Sequence, residues 1–344
     1  MSTALHYFKW AFLVTALGLV GSFWLGWWYG GTLGSALSFL LIGTVLAVLE
    51  ISLSFDNAIV NANKLKTMSP VWRQRFLTWG ILIAVFGMRI VFPLAVVAVA
   101  AKVGPVDALL LAAREPKEYA RLMNESHLSI AAFGGAFLMM VALSFFIDDG
   151  KDIDWISRIE RRMRSMGTVK GVAYGLVLLF VMAFGMALGV QDQATFYRAA
   201  ILGLVVFMAV DTLSHLLDAQ TEVISAARAG GLGAFLYLEV LDASFSFDGV
   251  IGAFALTQNL FLIAIGLGIG AMYVRSMTIM LVDRKTLSEF RFLEHGAFYS
   301  ILALSLIMFS QSVVHVPEVI TGLLGATIIG LSLFSSIQFN RRSA

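Results

Sequence analysis

The chain has 344 residues, of which 59% are hydrophobic and only 13% charged, with a mean hydropathy of +0.86. A soluble domain carries about 25% charged residues, so the composition is that of a polytopic membrane protein. The chain has no cysteine, which excludes structural disulfides, thiolate metal sites and cysteine nucleophiles. The formal net charge of +2 decides little, because in such a chain the location of charge matters more than its sum.

A helix crosses a bilayer with about 20 apolar residues. Ten stretches satisfy this, at roughly 10–30, 35–63, 76–101, 129–147, 171–190, 199–217, 233–255, 260–282, 297–315 and 318–338. The first is too long and too rich in Trp for a cleaved signal peptide and reads as a retained span. The last two are separated only around Val316-Pro317-Glu318. With the N-terminus placed in the cytoplasm, 17 Lys and Arg fall on cytoplasmic segments and 5 on the opposite side, with Arg89 and Arg275 inside spans. That bias predicts both termini in the cytoplasm of a multi-pass membrane protein. Segment 102–128 mixes acids and bases and has room for a short surface helix. Segment 148–170 carries Asp148, Asp149, Asp152, Asp154 and Glu160 beside a basic run. It reads as a solvated cytoplasmic loop that sets topology, with metal sensing or partner docking as the sharper alternative.

One phrase occurs twice. Val48-Leu49-Glu50-Ile51-Ser52-Leu53-Ser54-Phe55-Asp56-Asn57 and Val240-Leu241-Asp242-Ala243-Ser244-Phe245-Ser246-Phe247-Asp248-Gly249 align without a gap. Each copy lies in an apolar stretch, where carboxylates are expensive and mark function by default. The repeat continues beyond the motif: Gly80 precedes Arg89 by nine positions, and Gly266 precedes Arg275 by nine. The motif spans are second and seventh of the ten expected, so they cross in opposite directions. The expected fold is therefore an all-α transmembrane helix bundle of about ten spans, an inverted five-plus-five repeat with halves 1–198 and 199–344.

Within each motif, Glu50 and Ser54, Ser52 and Asp56, Asp242 and Ser246, and Ser244 and Asp248 are i, i+4 pairs that share a helix face. Glu50 and Asp56 are separated by about 9 Å of rise and point about 120° apart on a regular helix. Either they meet different neighbours or the helix breaks near the Ser and Asn/Gly positions, since Asn57 and Gly249 tolerate non-helical backbone. Pooled, the copies offer Glu50, Asp56, Asp242, Asp248, the Asn57 amide and the hydroxyls of Ser52, Ser54, Ser244 and Ser246. An all-oxygen set suits Mg²⁺, Ca²⁺ or Mn²⁺. Four carboxylates exceed the charge of one dication, so Arg89 and Arg275 are charge balancers or gates, or some acids are protonated when the site is empty. The competing reading is structural: the acids pair with the arginines, and the small serines let helices approach.

The paired acidic motifs and the arginine after each resemble the TerC family of integral membrane proteins, nearest to a branch known only as a domain of unknown function. The resemblance runs from about the second span through the ninth. It implies export of manganese from the cytoplasm, an association with tellurium resistance, and kinship with the LysE-type transporter superfamily. Carried over residue by residue, it makes Glu50, Asp56, Asn57, Asp242 and Asp248 the metal positions. Gly249 stands where the first copy has Asn57, so the second copy has one ligand fewer.

Glu239, one turn before Asp242, is a further candidate ligand, and Asp211 with His215 is a candidate proton relay. Asn61 and Asn63 are placed to line an inner exit. The rival functions are a LysE-type exporter of a small organic solute and an intramembrane hydrolase with Asp56 and Asp248 as its dyad. No Gly-x-Gly-Asp, His-Glu-x-x-His or Gly-x-Ser-x-Gly string supports the hydrolase, so no enzyme is expected. The expected partners are the lipid bilayer and a transported divalent cation, Mn²⁺ foremost, with no resident cofactor and no nucleic acid.

Overall fold

The computed structural model describes residues 3–80, 83–148, 150–167, 171–222, 231–314 and 316–343. Every regular element among them is helical. Helices α1 (Thr3–Gly30) and α2 (Leu33–Leu53) are joined by a tight turn. Gly31 takes φ +61° there, and Thr32 caps α2 by accepting the Ser35 N–H at 3.2 Å. Next come α3 (Phe55–Thr67), α4 (Pro70–Arg75), two π-helical stretches at Phe76–Gly80 and Ile83–Val91, and α5 (Phe92–Ala101). Pro93 has no N–H to give, and α-geometry resumes around it. Segment 102–128 holds α6 (Pro105–Arg114) and α7 (Pro116–Glu125), each opened by a proline in its first turn. The chain continues through α8 (His127–Ile147), α9 (Ser157–Gly167), α10 (Val172–Ala187), α11 (Val190–Glu222), α12 (Leu232–Leu256), α13 (Leu260–Asp283), α14 (Thr286–Glu289), α15 (Leu293–Gln311) and α16 (Glu318–Ser343).

Among the described residues, seven helices are long and apolar enough to cross a bilayer: Leu5–Gly30, Leu33–Leu53, His127–Ile147, Val190–Ser214, Leu260–Asp283, Leu293–Gln311 and Ile320–Arg342. The protein is a multi-pass membrane protein. The other three expected spans also fall on helix, each with a physical reason for standing apart. Stretch 76–101 is divided between π-turns and α5, α10 has only 16 residues, and α12 carries Glu239, Asp242 and Asp248 along its length.

Helix α8 lies at the centre and packs against α11, α15, α10 and α12. Apolar side chains gain little by leaving lipid for protein, so membrane helices associate through close packing over small residues. Gly134 and Gly135 lie directly under Met308 and Phe309 of α15, and Gly203 of α11 meets the Phe133 carbonyl. Helix α13 packs against α1, α2 and α3. The α13 contacts, and those of α8 with α15 and α12, cross between the expected halves 1–198 and 199–344. The outward faces carry exposed Leu17, Trp24, Trp28, Leu323 and Phe334, an apolar surface suited to lipid.

Segment 148–170 is only in part the solvated loop its charge pattern predicts: Arg158, Arg161 and Arg162 are exposed, but the segment is anchored in the interior at one carboxylate. Glu160 is fully buried. It accepts Lys151 Nζ at 2.7 Å, the N–H groups of Trp155 and Ile156 at 3.1 and 3.0 Å, and the Tyr299 hydroxyl at 3.3 Å. His295 Nε2 lies 3.3 Å from the same carboxylate and 2.8 Å from the Ile153 carbonyl. The segment is thus strapped across the start of α15. Burial pushes the Glu160 carboxyl up. The Lys151 and Ile156 hydrogen bonds and the charges of His295 and Lys151 outweigh this and hold it below the usual carboxylate range.

Candidate functional site

The two motif helices run antiparallel past one another. The first is interrupted at Ser54 (φ −98°, ψ 17°), between α2 and α3. The ladder survives the bend, because Ser54 N–H reaches the Glu50 carbonyl at 3.0 Å and Ala58 N–H the Ser54 carbonyl at 3.2 Å. The second copy runs through α12 without a break. Gly249 therefore serves space rather than backbone freedom: a Cβ there would stand 2.8 Å from Glu50 Oε2. The Glu50 stem also lies directly on Gly270 of α13, where a Cβ would overlap it.

Glu50 is buried and receives Arg89 Nη2 at 2.5 Å and the Ser54 hydroxyl at 3.1 Å. Arg89 reaches it from the π-helical stretch Ile83–Val91. Across the interface, Asp242 of α12 accepts Asn61 Nδ2 at 3.0 Å, with Asn57 also beside it. Glu50, Asp242, Asn57, Asn61, Ser246 and Arg275 line one cavity, with about 40 Å³ open to water centres. That is room for a few waters or one ion. Arg275 spends its Nε on the Leu77 carbonyl at 2.9 Å. Three buried oxygens of this cavity, Asn57 Oδ1, Asn61 Oδ1 and Ser246 Oγ, have no hydrogen-bond partner among the described residues. Buried polar atoms are nearly always paired. The two amide oxygens accept and never donate, and the Ser246 hydroxyl has lone pairs to offer as well as its proton, so together these atoms can take a donor or a cation.

Asp56 faces elsewhere. Its Oδ1 takes the Asn57 N–H at 2.8 Å and its Oδ2 the Ser300 hydroxyl at 2.9 Å. It lines a second cavity, with about 30 Å³ open to water centres, formed with α15 and α16. Glu50, Ser54 and Phe245 line both cavities and so form the wall between them.

The remaining candidates scatter. Glu239 is buried with both carboxylate oxygens unpartnered among the described residues. It faces Gly80, where a Cβ would meet its Oε1 at 2.6 Å. A Cβ at Gly266 would meet Leu46 of α2 at 2.5 Å. Each of these two glycines thus presses on the helix that carries the other copy of the motif. Ser52 is exposed beside the second cavity and bonds back to the Val48 carbonyl at 2.8 Å. Ser244 is buried, lines neither cavity and bonds back to Val240 at 3.0 Å. Asp211 is half-buried near Tyr174 and Tyr237 and away from both cavities. Asp248 and His215 lie on helices, but their side chains are outside the described residues. Asn63 donates to Glu294 at 2.5 Å rather than to the motif acids.

Sequence reasoning missed Ser300, Thr321 and Gly270. The first two are each one of several hydroxyls along apolar helices, with no repeated partner, and Gly270 is one of several glycines along α13. Among the described residues no group of three or more His, Asp and Glu side chains stands close enough to hold a metal. The first cavity offers two carboxylates, and its other oxygens come from amides and hydroxyls.

No curated protein and no solved structure matches the chain. A family model described as a protein of unknown function, DUF475, matches residues 55–343, from within the first motif through the second and on to the end of α16. The chain belongs to this membrane-protein family, DUF475.

Proposed function

We propose that the protein is an inner-membrane transporter that exports a hard divalent cation, Mn²⁺ foremost, from the cytoplasm, with both termini on the cytoplasmic side. The reading builds on an inverted repeat in which the two motif helices meet at mid-membrane, and on the resemblance to TerC proteins and LysE-type transporters. The observation that carries it is the trio of unpartnered oxygens at Asn57, Asn61 and Ser246, grouped in one small cavity with Asp242 and Glu50. Among the described residues no sulfur and no imidazole lines that cavity, so its donors suit Mn²⁺, Mg²⁺ or Ca²⁺ rather than a soft metal. With Arg89 and Arg275 in place the two carboxylates are balanced. A dication therefore binds by displacing Arg89 from Glu50, and this exchange couples occupancy to a movement of the π-helical stretch.

The two guanidinium groups favour one second reading, a small zwitterionic solute, and the small cavity volume counts against it. The test is cellular manganese in cells lacking their own exporter, at matched membrane expression. Wild type lowers manganese several-fold, and Asp242→Asn and Asp56→Asn abolish the effect. Unchanged manganese with wild type, or full export by Asp242→Asn, overturns the reading.

A further inference from the structure

The second cavity is built as carefully as the first. Asp56 and Ser300 are both nearly fully buried and hydrogen-bonded to each other at 2.9 Å. Thr321 of α16 is 6% exposed and lines the same cavity, and its Oγ1 has no hydrogen-bond partner among the described residues. Two glycines bring α16 this close. A Cβ at Gly325 would stand 2.8 Å from Ser300 Oγ, and one at Gly322 would stand 3.0 Å from Leu53 Cδ2. A buried, unpaired hydroxyl on the cavity that a carboxylate also lines is costly unless something visits it.

The two cavities extend in opposite directions. The first reaches Asn61, Phe76 and Thr278, toward the end of the bundle that carries Lys64, Arg73 and Arg284. The second reaches Ile307 and Thr321, toward the end where α15 gives way to α16. Glu50 borders both, and the Phe245 ring stands between them.

We infer that the second cavity is a separate cation station, formed by Asp56, Ser300 and Thr321, and that the cation passes between it and the Asp242 station beside Glu50 and Phe245. This rests on the cation-transport reading and adds a second binding site to it. Carboxylate and hydroxyl oxygens again select a hard divalent ion.

Purified full-length protein in lipid nanodiscs would be titrated with Mn²⁺ alone, with bound ion read from loss of the free-Mn²⁺ paramagnetic resonance signal. Wild type is expected to bind two Mn²⁺ per chain. The Ser300→Ala/Thr321→Val double variant is expected to bind one, and Asp242→Asn one. Thr321→Ser, which keeps the hydroxyl and guards against a folding artefact, is expected to bind two. One ion in wild type, retained in the double variant and lost in Asp242→Asn, overturns the second station and leaves the transport reading standing. Loss of both ions from a double variant that elutes as folded protein also overturns it. No Mn²⁺ bound by wild type overturns both.

Discussion

Arg89 holds Glu50 at 2.5 Å with both side chains almost entirely out of solvent. Breaking such a pair from one side strands a charge, which is far costlier than the pair's net worth. Replacing Arg89 by Gln leaves Glu50 in search of a counter-ion, and a divalent cation supplies one. Arg89→Gln is therefore expected to bind Mn²⁺ roughly tenfold more tightly, about 1.4 kcal/mol, while exporting it more slowly because release now strands the carboxylate. Binding titration and a vesicle flux assay check the two halves of this prediction, and weaker binding would contradict it. The doubled motif made Glu50, Asp56 and Asp242 legible from sequence, because a carboxylate in an apolar run is conspicuous and its recurrence more so. Ser300, Thr321 and Gly270 were not legible. Each is unremarkable on its own helix and acquires meaning only from what tertiary packing sets opposite it.

The strap across α15 shows the same limit for a whole element. Its alternating acids and bases look like a solvated surface, yet Glu160 is the buried anchor of five polar contacts. Because the fold holds the Glu160 carboxyl below its usual range, its stabilisation is fully present above the unfolded-state pKa. It is lost as pH falls through the folded-state value. Limited proteolysis within 148–160 should accordingly be slow at neutral pH and accelerate below pH ~4. Glu160→Gln should remove about 3 kcal/mol and expose the strap already at neutral pH. Equal cleavage rates for the variant and wild type would refute the anchoring role. Stretch 76–101 is the converse case, since apolarity announced a span there and gave no hint of π-helical winding. Apolar content is blind to hydrogen-bond register, and the interruption at 92–93 depends on a single proline.

At the scale of the molecule, each expected span falls on helix, and among the described residues seven stand as long apolar helices. The others are short, broken or acid-bearing, and those include α12, which brings Asp242 to the site. Orientation rests on the Lys and Arg bias alone, and the chain's lack of cysteine makes it simple to test. A membrane-impermeant thiol reagent applied to intact cells should label Asp107→Cys and spare Arg341→Cys, and the reverse pattern would invert the assigned topology. The reagent's selectivity is clean because no native thiol competes. The π-helical winding that carries Arg89 has a mechanical side as well. A π-turn holds surplus chain relative to an α-turn, and that surplus can migrate along the helix. Sliding it past Arg89 would swivel the guanidinium away from Glu50 while both helix ends stay docked. In the cation-transport reading proposed above, the lock on the acidic site is then a screw thread, released by about a quarter-turn of one segment.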